Sequence, residues 1–221
     1  EVEEQKQEIL DSINYAKRIQ TAILPPGHLL EAGLKNHFVL YLPKDIVAGD
    51  FYWMEQIAGR TLFAAADCTG HGVPGAMVSV VCHNALDRVL REFKLTEPGE
   101  ILDKTRELVE KQLNKAENSS ASIKNIRDGM DIALCSLEGN TLKYAGANNP
   151  LWIIRNGSYD VEEIKADKQP IGSYANEEPF TTHVVQLNKG DTLYIFSDGY
   201  PDQFGGPNGK KYKSGALKKK L

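Results

Sequence analysis

Three aspartates in this sequence sit against glycine at the end of a β-prone apolar stretch. Asp67 closes the run 62–66 and is followed by Cys68, Thr69, Gly70, His71 and Gly72. Asp198 closes 192–197 and precedes Gly199, and Asp50 follows Gly49 and opens the aromatic stretch 51–53. A charge buried without a partner is very costly, so a carboxylate placed this way calls for a cation. Hard divalent ions take carboxylate, carbonyl and water oxygens, and an oxygen-only donor set favours Mg²⁺ or Mn²⁺ over zinc. Two such ions sharing a carboxylate can clamp a phosphoryl group and ionise a water for in-line attack.

The elements that must position these residues are legible around them. The stretch 51–57 is β-prone and aromatic, and Ala58-Gly59-Arg60 turns it into the strand ending at Asp67. In an antiparallel pair the start of one strand lies beside the end of its partner, which brings Asp50 near Asp67. Pro74 and Gly75 open a helix whose apolar face is Val78, Cys82, Ala85, Leu86, Val89 and Phe93. A second helix is expected from Pro98 to about Lys115, then a loop over 117–128. Strands are expected over 37–42, 130–137, 141–145, 151–155, 159–164, 180–187 and 192–196, with turns at Glu138-Gly139-Asn140 and Asn156-Gly157. Strands, two helices, then many hairpin-linked strands predict an α+β fold of antiparallel sheets with a helical layer.

Residues 1–24 are different in character. Val2, Ile9, Ala16 and Ile23 recur every seven residues, with Ile13 and Ile19 near the same stripe, and Pro25-Pro26-Gly27 ends the pattern. That seam is narrow, closer to a coiled-coil strand than to a core helix. Two readings stay open, a helix lying on its own domain and a signalling or dimerisation helix entering from an upstream domain. The remaining 25–221 read as one domain.

A chain of 221 residues with 41% hydrophobic and 25% charged residues is that of an ordinary globular domain. A net charge of −4 gives no general attraction to nucleic acid or anionic membrane. No apolar run reaches membrane-spanning length. Cys68, Cys82 and Cys135 are odd in number with no CxxC pair, which argues against a disulfide framework or structural zinc and predicts a cytoplasmic setting.

Four segments, in order and spacing, resemble a known family: 48–53 (AGDFYW), 66–72 (ADCTGHG), 144–150 (YAGANNP) and 190–199, with Gly190-Asp191 and Phe196-Ser197-Asp198-Gly199. They are similar to the bacterial SpoIIE-type branch of the metal-dependent PPM (type 2C-like) serine/threonine phosphatases. The resemblance implies two antiparallel β-sheets packed as a sandwich with flanking helices, and two Mn²⁺ or Mg²⁺ ions at one edge. It implies that Asp67 bridges both ions, that the Cys68 carbonyl binds the first and Asp198 the second, and that Asp50 acts close by, directly or through water. It further implies a phosphorylated regulatory protein as substrate, such as an anti-sigma-factor antagonist, and an upstream sensor domain.

Several positions depart from that pattern or stay open. The Cys68 thiol is expected to be a buried spectator. Asn148 stands where the family often has His, and Asp131 where an apolar residue is often found; Asp131 either serves a loosely held third ion or caps a strand. His71 either protonates the leaving hydroxyl and orients water or only shapes its turn, and Lys44 either meets substrate phosphate or is solvated. No Asp-Asp pair follows Asp198 before Leu221, so the resemblance implies a domain lacking its last helix and strand, with one ligand of the second ion missing. An active phosphatase is the expected function. The alternatives are a phosphatase-like module that binds a partner without turnover and a metal-dependent nuclease, which would want a basic groove where only a lysine-rich tail, expected to be solvated, is found.

Overall fold

The computed structural model describes residues 1–113, 128–207 and 209–221. Two helices lead the chain, α1 (Val2–Ile23) and α2 (Gly27–Gly33). Strands β1 (Phe51–Ile57) and β2 (Arg60–Cys68) form a hairpin, followed by α3 (Gly72–Arg88), a π-helical turn (Val89–Phe93) and α4 (Pro98–Leu113). The hairpin β3 (Met130–Glu138) and β4 (Thr141–Ala147) comes next, then β5 (Leu151–Ile154), β6 (Val161–Ile164), β7 (His183–Gln186) and β8 (Thr192–Tyr194). A short hairpin, β9 (Phe204–Gly205) and β10 (Lys210–Lys211), and α5 (Ser214–Lys218) follow.

The strands make a five-stranded antiparallel sheet in the order β1-β2-β3-β4-β7 and a three-stranded one in the order β6-β5-β8. The large sheet is covered on both faces, and residue parity shows how. Ile132 and Leu134 of β3 pack with Leu62, Ala64 and Ala66 of β2 against Leu86, Val89, Ile101 and Val109 of the helices. Ala133 and Cys135 point the other way and pack with Tyr144 on Leu151 and Ile153 of the small sheet. A strand buried on both faces reads as an unbroken apolar run, which is what 132–135 is. The layers are therefore helices, large sheet, small sheet, the α+β antiparallel architecture expected.

Some elements differ from expectation. No strand forms over 37–42: the segment pairs with neither β1 nor β8, and Phe38, Leu40 and Leu42 are exposed. Its alternation is weak, and its contacts are aromatic, Phe38 edge-on to Tyr194 and Tyr41 edge-on to Tyr52. The helix expected to run smoothly to Phe93 instead widens at Val89 and stops at Lys94, a left-handed residue with φ 56°. The run before Asp198 is half-buried, because β8 is the edge of the small sheet. The loop expected over 117–128 lies outside the described residues except for Asp128. The sequence reading did not anticipate α2, the β9–β10 hairpin or α5.

Helix α1 divides the expected seam between two environments. Ile13, Ala16 and Ile23 are half-buried towards the domain and Gln20 is buried, whereas Val2 and Ile9 are 78% and 61% exposed. The C-terminal half of α1 is docked, and its N-terminal half carries apolar residues into solvent.

Candidate metal centre

The same parity places the carboxylates. In β1, Phe51 and Trp53 face the helices, so Asp50 belongs to the opposite face; in β2, Ala66 and Cys68 face the helices, so Asp67 between them also belongs to the opposite face. Phe51 pairs with Ala66, which sets Asp50 beside Asp67, and Asp67 pairs directly with Asp131 of β3. All three therefore lie on the face turned towards the small sheet, at one end of the strands. Asp198 enters the same place from the chain that follows β8, where Ser197 Oγ donates to Asp50 Oδ2 at 2.6 Å. Asp50, Asp67 and Asp198 come together, as does Asp131.

The electrostatics match four acids in one cleft. Burial, then the charge and side chain of Asp50, then those of Asp198, push the Asp67 carboxyl up to about 8. Burial also raises Asp131, with Asp198 adding to the rise and the Asn148 amide opposing it by donating to Oδ1 at 2.8 Å. Asn148 holds that pose from a left-handed backbone, φ 58°.

The backbone around Asp50 is packed too tightly for side chains. A Cβ on Gly49 would lie 2.6 Å from the Gly70 carbonyl oxygen and 2.9 Å from that of Cys68. One on Gly75 would lie 2.5 Å from the Gly70 oxygen. Glycine at 49 and 75 thus lets the chain before Asp50 nest against the turn after Asp67. Thr69 ties that turn to the start of β3, its Oγ1 accepting from Gly129 N–H at 2.7 Å.

Three further side chains, which the sequence reading missed, hold the Asp50 segment. Gln20 of α1 donates to the Ala48 carbonyl at 2.6 Å and accepts from Ala48 N–H at 3.0 Å, as a neighbouring strand would. The same amide donates to Ser79 Oγ of α3 at 3.0 Å. Tyr41 Oη donates to the Asp50 carbonyl at 3.1 Å, and burial, with the Asp50 charge second, pushes its hydroxyl up to about 12. Ser197 is the third. A polar residue at 20 on the stripe of Ile13, Ala16 and Ile23 was the available signal for Gln20; Tyr41 and Ser197 left none.

His71, exposed at the start of α3, is held by Asp45, whose Oδ2 lies 2.8 Å from Nδ1. The Cys68 thiol is buried beside Cys82, whose hydrogen bond, together with burial, keeps it well above the usual thiol range. Lys44 is exposed, with no side-chain hydrogen bond or ion pair among the described residues.

The donor set suits a hard divalent ion. Several carboxylates converge, and Asp67 is costly to ionise there without a cation. Among the described residues no three acidic, His or Cys side chains stand close enough to hold one ion between them. An ion here would complete its shell with carbonyl and water oxygens, as Mg²⁺ does.

An antiparallel sandwich with strand-end aspartates between its sheets defines a class, and comparison with known proteins gives it a family. The profile described as stage II sporulation protein E (SpoIIE) matches residues 57–220. The structure resembles the SiaA PP2C domain of Pseudomonas aeruginosa with a TM-score of 0.82, at 30% identity over 97% of this chain and 81% of that one. It also resembles the PP2C phosphatase domain and regulatory-domain fragment of SpoIIE from Bacillus subtilis, at a TM-score of 0.56 and 24% identity over 79% of this chain and 48% of that one. The RsbU and RsbW domains of a Mycobacterium tuberculosis protein match at a TM-score of 0.56 and 21% identity, over 74% of this chain and 42% of that one. A search of curated protein sequences found no match. The chain belongs to the SpoIIE family and is a protein phosphatase domain of the PP2C type.

Proposed function

We propose that the chain hydrolyses phosphoserine or phosphothreonine on a regulatory protein, such as an anti-sigma-factor antagonist, with two Mn²⁺ or Mg²⁺ ions held by Asp67, Asp198, Asp50 and the Cys68 carbonyl. The convergence of Asp50, Asp67 and Asp198 in one cleft, with Asp67 pushed up to about 8, carries this reading. When bound, such ions polarise the phosphoryl oxygens and supply a nucleophile at neutral pH. Asp67 and its neighbours would hold these ions, and Asp50, fixed by Ser197 and the Tyr41 contact, would orient the attacking water. As the water oxygen bonds to phosphorus, the bond to the seryl oxygen breaks. His71, steered by Asp45, delivers a proton to that oxygen, releasing the hydroxyl and inorganic phosphate. Helix α1 connects the domain to an upstream sensor, and its exposed Val2 and Ile9 pair with a second copy.

That no three acidic, His or Cys side chains among the described residues stand close enough to share one ion favours one competing reading, a module that binds its partner without turnover. Phosphate release from a phosphoserine peptide, with Mn²⁺ and with EDTA, separates the two. The expected result is Mn²⁺-dependent release that Asp67→Asn reduces at least about a hundredfold, since removing one well-placed electrostatic group costs that much. A variant that kept most of the wild-type rate would refute the shared-carboxylate reading.

A further inference from the structure

The sequence changes charge sharply near its end. Residues 203–221 contain six lysines and no acid; with −4 for the whole chain and +6 for this stretch, the preceding 202 residues carry −10. The structure puts this basic segment next to the acidic cleft. Asp202 N–H donates to the Asp198 carbonyl at 2.9 Å, and Gln203 Nε2 donates to the Gly199 carbonyl at 2.8 Å. The return strand is tied back, Tyr212 N–H to the Gln203 carbonyl at 2.9 Å and Lys213 N–H to the Pro201 carbonyl at 2.7 Å. The β9–β10 hairpin is thus bonded to the turn that carries Asp198.

Its surface is not that of an idle solvated loop. Phe204 is 71% exposed and Tyr200 49%, and Tyr200 stands edge-on to Tyr212 with ring centres 5.8 Å apart. These aromatics line an open concavity with Gln203, Pro207 and Lys210. Lys211 pairs with Asp202 and lies over the Phe204 ring, and Lys218 pairs with Glu163. Lys210 and Lys213 are exposed and make no ion pair among the described residues. Exposed aromatics are residue types that carry binding energy at interfaces, and the exposed lysines beside them supply charge complementarity.

We infer that the β9–β10 hairpin is the docking surface for the protein substrate, selecting a phosphorylated segment with acidic and apolar residues beside the phosphoserine. Charge complementarity argues for this occupant. A phosphoserine carries nearly two negative charges, which an otherwise strongly acidic domain repels, and the lysines reverse that field beside the cleft. The inference rests on the phosphatase reading above.

The test uses the full chain and two phosphoserine peptides differing in whether their flanks are Glu and Leu or Gln and Ser, with p-nitrophenyl phosphate as a substrate too small to span the hairpin. Exposed ion pairs are individually weak, so Lys210→Glu with Lys213→Glu should lower the ratio of peptide to p-nitrophenyl phosphate kcat/KM by about three- to tenfold. The loss should appear in KM, only for the acidic peptide, and fade at high salt. Phe204→Ser should lower the same ratio. Fluorescence anisotropy of the labelled peptides reads docking without turnover: absent hydrolysis with lysine-dependent binding refutes the phosphatase reading and keeps the docking surface. Equal affinity for both peptides, or a lysine dependence seen only with phosphatidylserine vesicles or single-stranded DNA, overturns the proposal.

Discussion

Replacing Gln20 tests whether α1 sets the geometry of the candidate metal centre. The Gln20 amide satisfies both backbone groups of Ala48, and the two residues are 5% and 7% exposed. Gln20→Met removes those bonds while nearly keeping the volume. Two buried backbone groups are then orphaned at about 1–3 kcal/mol each, or about 2–6 kcal/mol together. At about 2–4 °C per kcal/mol for a domain of this size, a rigid loop would lose roughly 5–20 °C of Tm. If the loop instead moves to solvate Ala48, less stability is lost, but Asp50, two residues on, leaves its place beside Asp67. The penalty thus appears as a lower Tm, a higher Mn²⁺ requirement, or a share of each. Gln20→Glu keeps the acceptor for Ala48 N–H but turns a carboxylate towards the Ala48 carbonyl, so it should do at least as badly. Calorimetry in EDTA and an Mn²⁺ activation curve for phosphate release read the two branches. A Met variant matching wild type in both Tm and half-saturating Mn²⁺ would show that Gln20 holds nothing that matters to the site.

The carboxylate cluster predicts a pH signature in the metal-free protein. With Asp67 at about 8 in the fold and about 3.9 unfolded, the folded state holds the extra proton between those values, so stability in EDTA falls as pH rises from about 4 to about 8. Excess Mn²⁺ should oppose that fall and Asp67→Asn should flatten it; thermal melts from pH 5 to 8 that were already flat for wild type in EDTA would contradict the coupling. For α1, Val2→Asp with Ile9→Asp should weaken self-association, because both side chains are exposed and neither packs on the domain. Analytical ultracentrifugation showing the same mass for the variant and wild type would remove the pairing seam.

The parts of the fold legible in the sequence were those set by local rules. Asp67 announced itself because an apolar run stops there and a glycine turn begins. The β1–β2 hairpin was readable because Gly59 sits in a tight turn between two β-prone runs, a position that favours glycine; that Ala58 also takes a positive φ there is seen only in the structure. The stretch 37–42 failed for the opposite reason: alternation says which residues could share a face, and no local rule says whether a partner strand is beside them. Phe93 was misplaced for a related reason, since periodicity at 3.6 residues does not reveal a single wide turn. Ser197 was invisible because only the folded sheets bring it across 147 residues to Asp50, and Tyr41 because its segment pairs with no strand and its contact with Asp50 depends on the fold around it.

Gln20 is the more instructive omission, because it changes how α1 is to be understood. A heptad of small and branched apolar residues left open whether the helix lies on its own domain or pairs elsewhere. One amide in the middle of the inward stripe instead grips the backbone two residues before Asp50, and Asp50 in turn accepts from Ser197, beside Asp198. The path from helix to carboxylates is two hydrogen-bonded contacts long, with Ala48 buried and closely packed between them. Val2 and Ile9 stand more than two helical turns away from Gln20 on a rod about 33 Å long, at 1.5 Å per residue. Force applied at the exposed end of such a rod acts with leverage on its docked end. A bond pair that fixes Ala48 through one long-range side chain is easier to break than a strand ladder, where every residue contributes. That difference is what would let a modest change in the pose of α1 move Asp50 without unfolding either sheet.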